Sequence, residues 1–304
     1  MSLLSRLKSP GPSGFGYASS AEEVTRGLDL SAQTILLTGC AAGLGKETLR
    51  VLCLRGARVI GTARSQAQAE AACASVSGPS VPLACNLADP GSVRACIAAI
   101  QSSGHELDAI ICNAGIMALP RLERAYGYEL QFFTNHIGHF SLVTGLLDRL
   151  AERGRVVVVS SNAHRRAPRA GIEFENLSGD AGYQPWAAYG QSKLANLLFA
   201  LELSRRLPRP EQSANALHPG VIHTRLSRNL PAWGRAGLQV LGPLALKSTE
   251  QGAATQCFVA THPRMLSTGR YFSDCNLAAP STQASDGALA RRLWETSEQI
   301  VRGL

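Results

Sequence analysis

Short apolar runs alternate with amphipathic, helix-like stretches along most of the chain. The first run, residues 34–38, is a compact apolar segment typical of a strand buried inside a parallel sheet, and a helical pattern follows it through Leu54. The same alternation predicts further strands at 58–63, 81–85, 107–112, 155–159, 214–217 and 270–272, and further helices at 92–100, 121–151 and around Tyr189. Strands that alternate with helices predict an α/β fold, a doubly wound parallel sheet of about seven strands with helices on both faces.

The chain divides into two predicted parts. Residues 1–32 are predicted to form an N-terminal arm that tightens into a short helix around residues 21–27. Residues 33–304 are predicted to form one Rossmann-type domain, because no charge-rich linker, internal repeat or low-complexity tract interrupts them.

Three glycines follow the first predicted strand and precede the first long helix. Gly39 would let the backbone turn sharply, while Gly43 and Gly45 would let a pyrophosphate approach the free N–H groups at the helix N-terminus. A tight strand-to-helix turn would use the same residues, so the trio alone is only moderately specific. Its position between a strand and a helix is the context that dinucleotide binding requires.

The end of the second predicted strand favours NADP(H) over NAD(H). An NAD-selective site usually places an acidic side chain there for the ribose 2′-hydroxyl. This chain has Ala63 followed by Arg64, and the arginine could pair with a 2′-phosphate. The alternative is a solvated loop arginine.

Composition narrows the class of protein. An apolar content of 45% against 17% charged residues is typical of a well-buried globular chain. The formal net charge is +8, but the lysines and arginines are dispersed, with no run longer than two. This dispersion favours attraction of phosphate-bearing small molecules over nucleic-acid binding.

Cysteine usage and hydropathy favour a cytoplasmic protein. None of the eight cysteines forms a Cys-x-x-Cys pair, which indicates reduced, packed thiols rather than a disulfide framework or a zinc site. No apolar run reaches membrane-spanning length, and the first residues lack the apolar core of a signal peptide. We therefore expect no membrane span and a cytoplasmic location.

Tyr189 and Lys193 lie four residues apart in a helical segment, so both side chains fall on one helical face. A free tyrosine has a pKa of about 10, and a neighbouring cation is expected to lower it toward neutral pH, where a phenol can act as an acid or base. A Tyr-x-x-x-Lys pair can also be an ordinary surface pair of an amphipathic helix.

The whole set of motifs resembles the classical short-chain dehydrogenases/reductases, from about Ala21 to the C-terminus. Six motifs in order carry the resemblance: Thr38-Gly39-x-x-x-Gly43-x-Gly45, Asn113-Ala114-Gly115, Asn135, Ser161, Tyr189-x-x-x-Lys193 and His218-Pro219-Gly220. Within the family the chain is most similar to the branch of the retinol dehydrogenases and WW-domain-containing oxidoreductases, in residues 134–140, 160–164 and 188–199. The hydrophobic anchor of the membrane-bound retinol enzymes is not seen, so the expectation is a soluble, bacterial-type member.

The resemblance implies hydride transfer between a nicotinamide and a carbonyl or alcohol carbon. Tyr189 would act as general acid/base, and Ser161 would hydrogen-bond the substrate oxygen. Lys193 would lower the pKa of Tyr189 and hold the nicotinamide ribose, and Asn135 would anchor a water that links Lys193 to solvent. The implied cofactor contacts are Gly39, Ala41, Gly43, Leu44, Gly45, Arg64, Asn86, Leu87, Asn113, Ala114, Gly115, Tyr189, Lys193, Pro219, Gly220, Val221, Ile222 and Thr224. Asn86 stands where the family often has an aspartate, and its carbonyl oxygen can still accept a hydrogen bond from the adenine amine.

The substrate is expected to be a small lipophilic aldehyde, ketone or secondary alcohol. Candidate pocket walls are Met117, Ala118, Leu119, Tyr183 and Trp186, with a lid at residues 222–247. Core packing is the alternative for the wall residues. Relatives commonly pair through the helices that carry Asn135 and Tyr189, which implies a homodimer or homotetramer.

Other functions compete with this reading. NAD(H)-dependent alcohol oxidation and an epimerase or dehydratase could use the same fold. A non-catalytic NADP-binding sensor is another alternative, but it could lose the four catalytic residues freely, so their presence argues against it. Salt-sensitive nucleic-acid binding is a further alternative for a basic chain. His136 and His139 have a spacing that two metal ligands could use, but no third ligand is evident, so packing is preferred and no metal is expected.

Overall fold

A computed structural model describes residues 9–222 and 246–304, and its centre is an eight-stranded sheet. The strands of this sheet are β1 Thr34–Thr38, β2 Arg58–Ala63, β3 Ser80–Ala84, β4 Leu107–Cys112, β7 Leu150–Val159, β8 Ser213–His218, β9 Tyr271–Ser273 and β10 Asn276–Leu277, and a separate two-stranded hairpin consists of β5 Arg124–Ala125 and β6 Tyr128–Glu129. The order across the sheet is β10-β9-β8-β7-β4-β1-β2-β3, with every neighbouring pair parallel except β9 and β10. The predicted parallel α/β sheet is confirmed, with β10 added to the expected seven strands.

Helices cover both faces of the sheet. The α-helices are α1 Ala21–Val24, α2 Gly43–Leu54, α3 Gln66–Ala74, α4 Pro90–Ser102, α5 Leu130–Phe132, α6 Gly138–Thr144, α7 Pro185–Arg206, α8 Thr249–Thr261 and α9 Gly287–Arg302. A π-helical turn, Phe133–Ile137, joins α5 to α6, and short 3₁₀ turns lie at Leu147–Arg149, Asn162–Arg166, Phe174–Asn176 and Thr282–Ser285. Within the described residues, none of these helices combines the length and the apolar character needed to cross a bilayer.

Two hydrophobic cores lie on opposite sides of the sheet because successive strand residues point to opposite faces. In β4, Ile110 packs in the core beneath α4, α6, α7 and α9, whereas Ile111 packs in the core beneath α1, α2, α3 and α8. This arrangement confirms the predicted helices on both faces.

The region predicted as one helix at 121–151 is shorter and interrupted, so that part of the prediction is wrong. Tyr126 and Gly127 adopt positive φ angles of 52° and 84°, and their turn closes the β5–β6 hairpin. The ring of Tyr126 stacks on Phe133 with 5.5 Å between centroids. The helical stretch therefore begins at Leu130, and β7 already begins at Leu150.

Residues 9–32 pack against the domain instead of extending from it. The ring of Phe15 lies edge-on to Phe258 of α8 at 5.7 Å, and the Gln251 side chain donates to the Ala18 carbonyl. Ala21 and Val24 of α1 are buried in the same core. The division at residue 33 remains a prediction about folding units.

The C-terminal helix α9 covers the outer side of α7. Trp294 stacks on Phe199 at 5.9 Å and meets Phe140 edge-on at 4.9 Å, and the guanidinium of Arg206 lies 4.8 Å from the indole centroid. Most residues of α7 are buried within a single chain. Helix α7 is therefore an internal element of the fold.

Candidate active site

The predicted site residues follow the carboxyl ends of the parallel strands, which all lie along one edge of the sheet. The strand order reverses between β1 and β4, so the connections leave these strands toward opposite faces. Such a switch point opens a crevice at the carboxyl edge, where doubly wound sheets bind their ligands. Gly39 follows β1, Asn113 follows β4 and Ser160 follows β7. The topology therefore brings these three segments to one place.

The glycine-rich turn packs too closely for larger residues. Gly39 has a φ of 73°, and a Cβ on it would lie 2.9 Å from the Cα of Ala114. A Cβ on Gly45 would overlap the Gly39 carbonyl oxygen and lie 2.6 Å from Nδ2 of Asn113. Helix α2 thus begins directly against the ends of β1 and β4.

The N-terminus of α2 has free hydrogen-bonding capacity. Its cap residue is Ala42, which has no side chain able to bond the first N–H groups, and its first turn holds no acidic residue. By contrast, α3, α4, α8 and α9 are each capped by a serine or aspartate side chain. Uncapped N–H groups and the helix dipole suit a phosphate, so a pyrophosphate fits this turn.

Thr38 connects the glycine-rich turn to the segment after β4. Its hydroxyl accepts hydrogen bonds from the backbone N–H groups of Asn113 at 2.9 Å and Ala114 at 3.0 Å. The Asn113 amide in turn donates to the Thr38 carbonyl at 2.8 Å. The Asn113 and Ala114 predictions thus fall on a segment with a fixed backbone.

Arg64 and Asn86 lie at the ends of β2 and β3, on the side of the crevice away from β4. Arg64 is exposed, and its side chain has no hydrogen bond or ion pair with any described residue. The Asn86 side-chain oxygen accepts from the Ala88 N–H at 3.2 Å, and Leu87 is buried with its backbone packed against Gly138. The arginine is therefore available to an anion.

Asn135 lies in the π-helical turn and is fully buried. Its side chain accepts from the Ile116 N–H at 2.8 Å and donates to the Ile116 carbonyl at 2.9 Å and to the Ser192 hydroxyl at 3.0 Å. A Cβ on Gly115 would lie 3.1 Å from the Asn135 side-chain oxygen and 3.4 Å from Nζ of Lys193. Residues 115–116, Asn135 and Lys193 therefore meet at one point.

Ser161, Tyr189 and Lys193 complete the cluster. Ser161 lies just beyond β7, close enough to the Tyr189 phenol to influence its pKa. Lys193 donates from Nζ to the Val159 carbonyl at 3.0 Å, and its Nζ lies 5.8 Å from the Tyr189 ring centroid. All four predicted catalytic residues are thus gathered around the carboxyl ends of β4 and β7.

Burial dominates the electrostatics of this cluster. It raises the pKa of Tyr189 to about 12, opposed by the nearby Ser161 hydroxyl, and it lowers the pKa of Lys193 to about 8. The expectation that Lys193 lowers the pKa of Tyr189 is not met here, because both groups are desolvated and the ammonium points to the Val159 carbonyl. At neutral pH the phenol is protonated and able to donate.

Lys247 packs against the segment that follows β8. Gly220 has a φ of 99°, and a Cβ on it would lie 2.5 Å from Cδ of Lys247. The backbone of Lys247 donates to the Val221 carbonyl at 2.9 Å, and its buried ammonium lies 2.6 Å from the carboxylate of Asp274. Pro219, Gly220, Val221 and Ile222 therefore have a defined path, whereas Thr224 and residues 223–245 of the predicted lid lie outside the described residues.

The predicted pocket walls fall on two loops that Gln131 joins and on the first turn of α7. Ala118 adopts a positive φ of 46°, and its N–H donates to the buried Gln131 side chain at 2.6 Å. Gln131 also donates to the Tyr183 hydroxyl at 3.0 Å, which itself donates to the Leu119 carbonyl at 2.7 Å. Trp186 lies edge-on to Tyr189 at 6.1 Å between centroids. The walls therefore form one connected unit next to Tyr189.

His136 and His139 have different partners. His136 bonds the Ser297 hydroxyl of α9 at 2.8 Å, whereas His139 bonds Thr38 and the Asn135 carbonyl. Among the residues that the structure describes, no group of three His, Cys, Asp or Glu side chains could hold a metal ion.

Sequence reasoning missed four residues that support this site: Thr38, Gln131, Lys247 and Asp274. Thr38 belongs to the Thr38-Gly39 motif, but the motif does not predict the contact of its hydroxyl with residues 113 and 114. The other three act across long sequence distances, for instance Lys247 on Gly220, and no local pattern marks them.

Comparisons with known proteins agree with this geometry. A family model described as short chain dehydrogenase matches residues 33–235. The chain is 40% identical over 309 residues to short-chain dehydrogenase TIC 32 B, chloroplastic, of Brassica napus, covering 97% of this chain and 96% of that protein. It is 35% identical over 292 residues to retinol dehydrogenase 14 of Mus musculus, covering 90% and 86% of the two chains. A crystal structure of an uncharacterized protein from Mycobacterium Paratuberculosis superposes with a TM-score of 0.76 at 33% identity, covering 92% of this chain and 97% of that one.

Proposed function

The chain belongs to the short-chain dehydrogenase/reductase family and is an NAD(P)-dependent oxidoreductase, and from this premise we propose that it reduces a lipophilic aldehyde or ketone with NADPH. The reverse reaction would oxidise the corresponding alcohol. The observation that carries the proposal is the meeting of Asn135, Ser161, Tyr189 and Lys193 beside the crevice at the β1–β4 switch point.

The crevice fits a dinucleotide. Gly39 and Gly45 leave the space that a Cβ would fill, and the uncapped N-terminus of α2 offers N–H groups to a pyrophosphate. Asn86 and Leu87 would border the adenine, and residues 113–115 and 219–222 would border the nicotinamide half. When bound, the nicotinamide supplies the hydride. Lys193 would then hold the ribose hydroxyls.

Tyr189 is the proposed proton donor. As hydride reaches the carbonyl carbon, negative charge grows on the substrate oxygen, and Ser161 would hydrogen-bond that oxygen while Tyr189 protonates it. A phenol with a pKa near 12 is fully protonated at neutral pH. This is the protonation state that proton donation in the reductive step requires.

The walls next to Tyr189 support the proposed substrate class. Met117, Ala118 and Leu119 on one loop, and Trp186 on α7, offer apolar surface with one polar reacting centre. The buried Gln131 amide accepts from the Ala118 N–H and donates to the Tyr183 hydroxyl, so both of its ends are already hydrogen-bonded. We propose a hydrophobic carbonyl compound on this basis, and a panel of lipophilic aldehydes, ketones and secondary alcohols monitored by NADPH absorbance would identify it.

A cytoplasmic location is the proposal that best fits the cysteines. All eight are free and buried in the described structure. Free thiols persist in reducing compartments. Recovery of the protein with oxidised thiols from its native cells would contradict this proposal.

We propose that the chain acts as a monomer. The expected homodimer or homotetramer would pair through α7 and the helical stretch at residues 130–144, but α9 already covers these helices through Trp294 and Ser297. Light scattering after gel filtration should give a mass near the 32.2 kDa of one chain. A mass twice or four times larger would support the paired forms instead.

Replacement of Tyr189 by Phe tests the catalytic assignment. Loss of the proton donor should lower kcat by about 100-fold or more, while NADPH affinity changes by less than about twofold. Tyr126→Phe is the matched control, because this tyrosine is exposed on the β5–β6 hairpin. Retention of full turnover in Tyr189→Phe would remove this residue from the mechanism, and NADPH binding without any turnover in the native chain would support the sensor alternative.

Replacement of Arg64 by Asp tests the cofactor preference. The variant should lose the charge-assisted bonds to a 2′-phosphate, so the ratio of kcat/KM for NADPH over NADH should fall about tenfold to 100-fold. Arg58→Asp places the same change at the other, exposed end of β2 and should leave the ratio unaltered. An unchanged ratio in Arg64→Asp would show that another group selects the phosphate.

The pH dependence should differ between the two directions. Reduction needs the protonated phenol, and since the pKa of Tyr189 lies near 12 its rate should be nearly constant from pH 6 to 8. Oxidation needs the phenolate, so its rate should rise by about tenfold per pH unit over the same range. Initial rates in both directions measure this, and an oxidation rate independent of pH would mean that the bound cofactor lowers the pKa of Tyr189 below 6.

A further inference from the structure

His139 is fully buried and both of its ring nitrogens are hydrogen-bonded. Nδ1 lies 2.9 Å from the backbone carbonyl oxygen of Asn135, and Nε2 lies 2.9 Å from the Thr38 hydroxyl. One imidazole thus touches both the strand that leads into the glycine-rich turn and the helical turn that carries Asn135.

These partners determine the tautomer of His139. A carbonyl oxygen can only accept, so Nδ1 carries the proton and donates it to Asn135. In a neutral ring Nε2 must then accept, and the Thr38 hydroxyl donates to it. Burial lowers the pKa of His139 to about 4, which agrees with a neutral ring. The competing acceptor for the Thr38 hydroxyl, the Ile111 carbonyl, is farther away at 3.4 Å.

The two partners of His139 hold opposite ends of one segment. Thr38 accepts from the N–H groups of Asn113 and Ala114, and the Asn135 side chain bonds both the N–H and the carbonyl of Ile116. His139 is hydrogen-bonded to both Thr38 and Asn135, and it thereby closes a ring of hydrogen bonds around residues 113–116. Each bond in this ring has a fixed donor and a fixed acceptor.

We infer that His139 is a positioning residue that sets the backbone of residues 113–116 against Asn135 and Lys193. The inference rests on the proposed function, in which this segment borders the nicotinamide half of the cofactor. Small displacements of a positioned group can cost about 100-fold in rate. His139 should therefore influence cofactor affinity and turnover although it touches neither cofactor nor substrate.

His136 provides a matched control for simple packing. It lies one helical turn before His139, is equally buried, and packs among Phe132, Phe140 and Phe199. Its hydrogen bond goes to Ser297 of α9, which is none of the residues predicted for the site. Loss of a buried, hydrogen-bonded imidazole at either position should destabilise the fold, but only loss of His139 should disturb the site.

The test compares His139→Leu, His139→Asn and His139→Gln with His136→Leu. An Asn amide nitrogen can take the place of Nδ1 and donate to the Asn135 carbonyl, whereas Gln reaches the place of Nε2 and Thr38 only. The quantities to measure for each variant are the NADPH dissociation constant by fluorescence, kcat and KM with a carbonyl substrate, and the melting temperature.

His139→Leu should lower kcat about tenfold and weaken NADPH binding about tenfold. His139→Asn should keep kcat within about threefold of the native value, and His139→Gln should have a lower kcat than His139→Asn. His136→Leu should lower the melting temperature and leave kcat and NADPH affinity within about twofold of the native values. If His139→Leu does not fold, the difference in kcat and NADPH affinity between His139→Asn and His139→Gln still tests the inference.

Equal kcat and equal NADPH affinity in the native chain and all folded His139 variants would overturn the inference and reduce His139 to packing. Failure of the proposed function is a separate result: the native chain would bind NADPH but turn over no carbonyl compound. In that case the NADPH dissociation constants of the four variants alone would support or overturn the role of His139.

Discussion

The close approach of α2 to the ends of β1 and β4 is the constraint on which the site depends. Gly45 lies so near the Gly39 carbonyl and the Asn113 amide that no side chain fits between them. This contact directs the uncapped N-terminus of α2 into the crevice where the strand order reverses. It also brings Thr38 to the backbone of Asn113 and Ala114, so that one interaction shapes both the turn at the N-terminus of α2 and the segment beside Asn135 and Lys193.

Tyr189 and Lys193 are held in an environment that disfavours the charged form of each side chain. Lys193 is only 4% exposed, and Tyr189 only 5%. Removing an ammonium from water is costly unless it finds partners, and here the described partner of Nζ is one backbone carbonyl. An environment of this kind leaves the ammonium with further hydrogen-bonding capacity and keeps the phenol protonated.

Support for this cluster comes from elements that are distant in sequence. Helix α9 encloses α7 through Trp294, and the ion pair of Lys247 with Asp274 lies under Gly220. These contacts make the long helix α7 an internal element, and they couple the C-terminal part of the chain to the candidate site.

The sequence by itself determined the parallel α/β architecture and the identity of the clustered residues, because strand and helix periods are local and the motifs are contiguous. Glycine spacing marked the turn at residues 39–45, and Tyr189 and Lys193 are one helical turn apart. It did not determine the hairpin at 124–129, which depends on positive φ angles at Tyr126 and Gly127 and on stacking with Phe133. The direction of the Tyr189 pKa shift also required the tertiary structure, because burial is its main cause and burial depends on elements that are distant in sequence. The links through His139, Gln131 and Lys247 were decided in the same way, since each joins segments that meet only when the sheet and both helical layers are assembled.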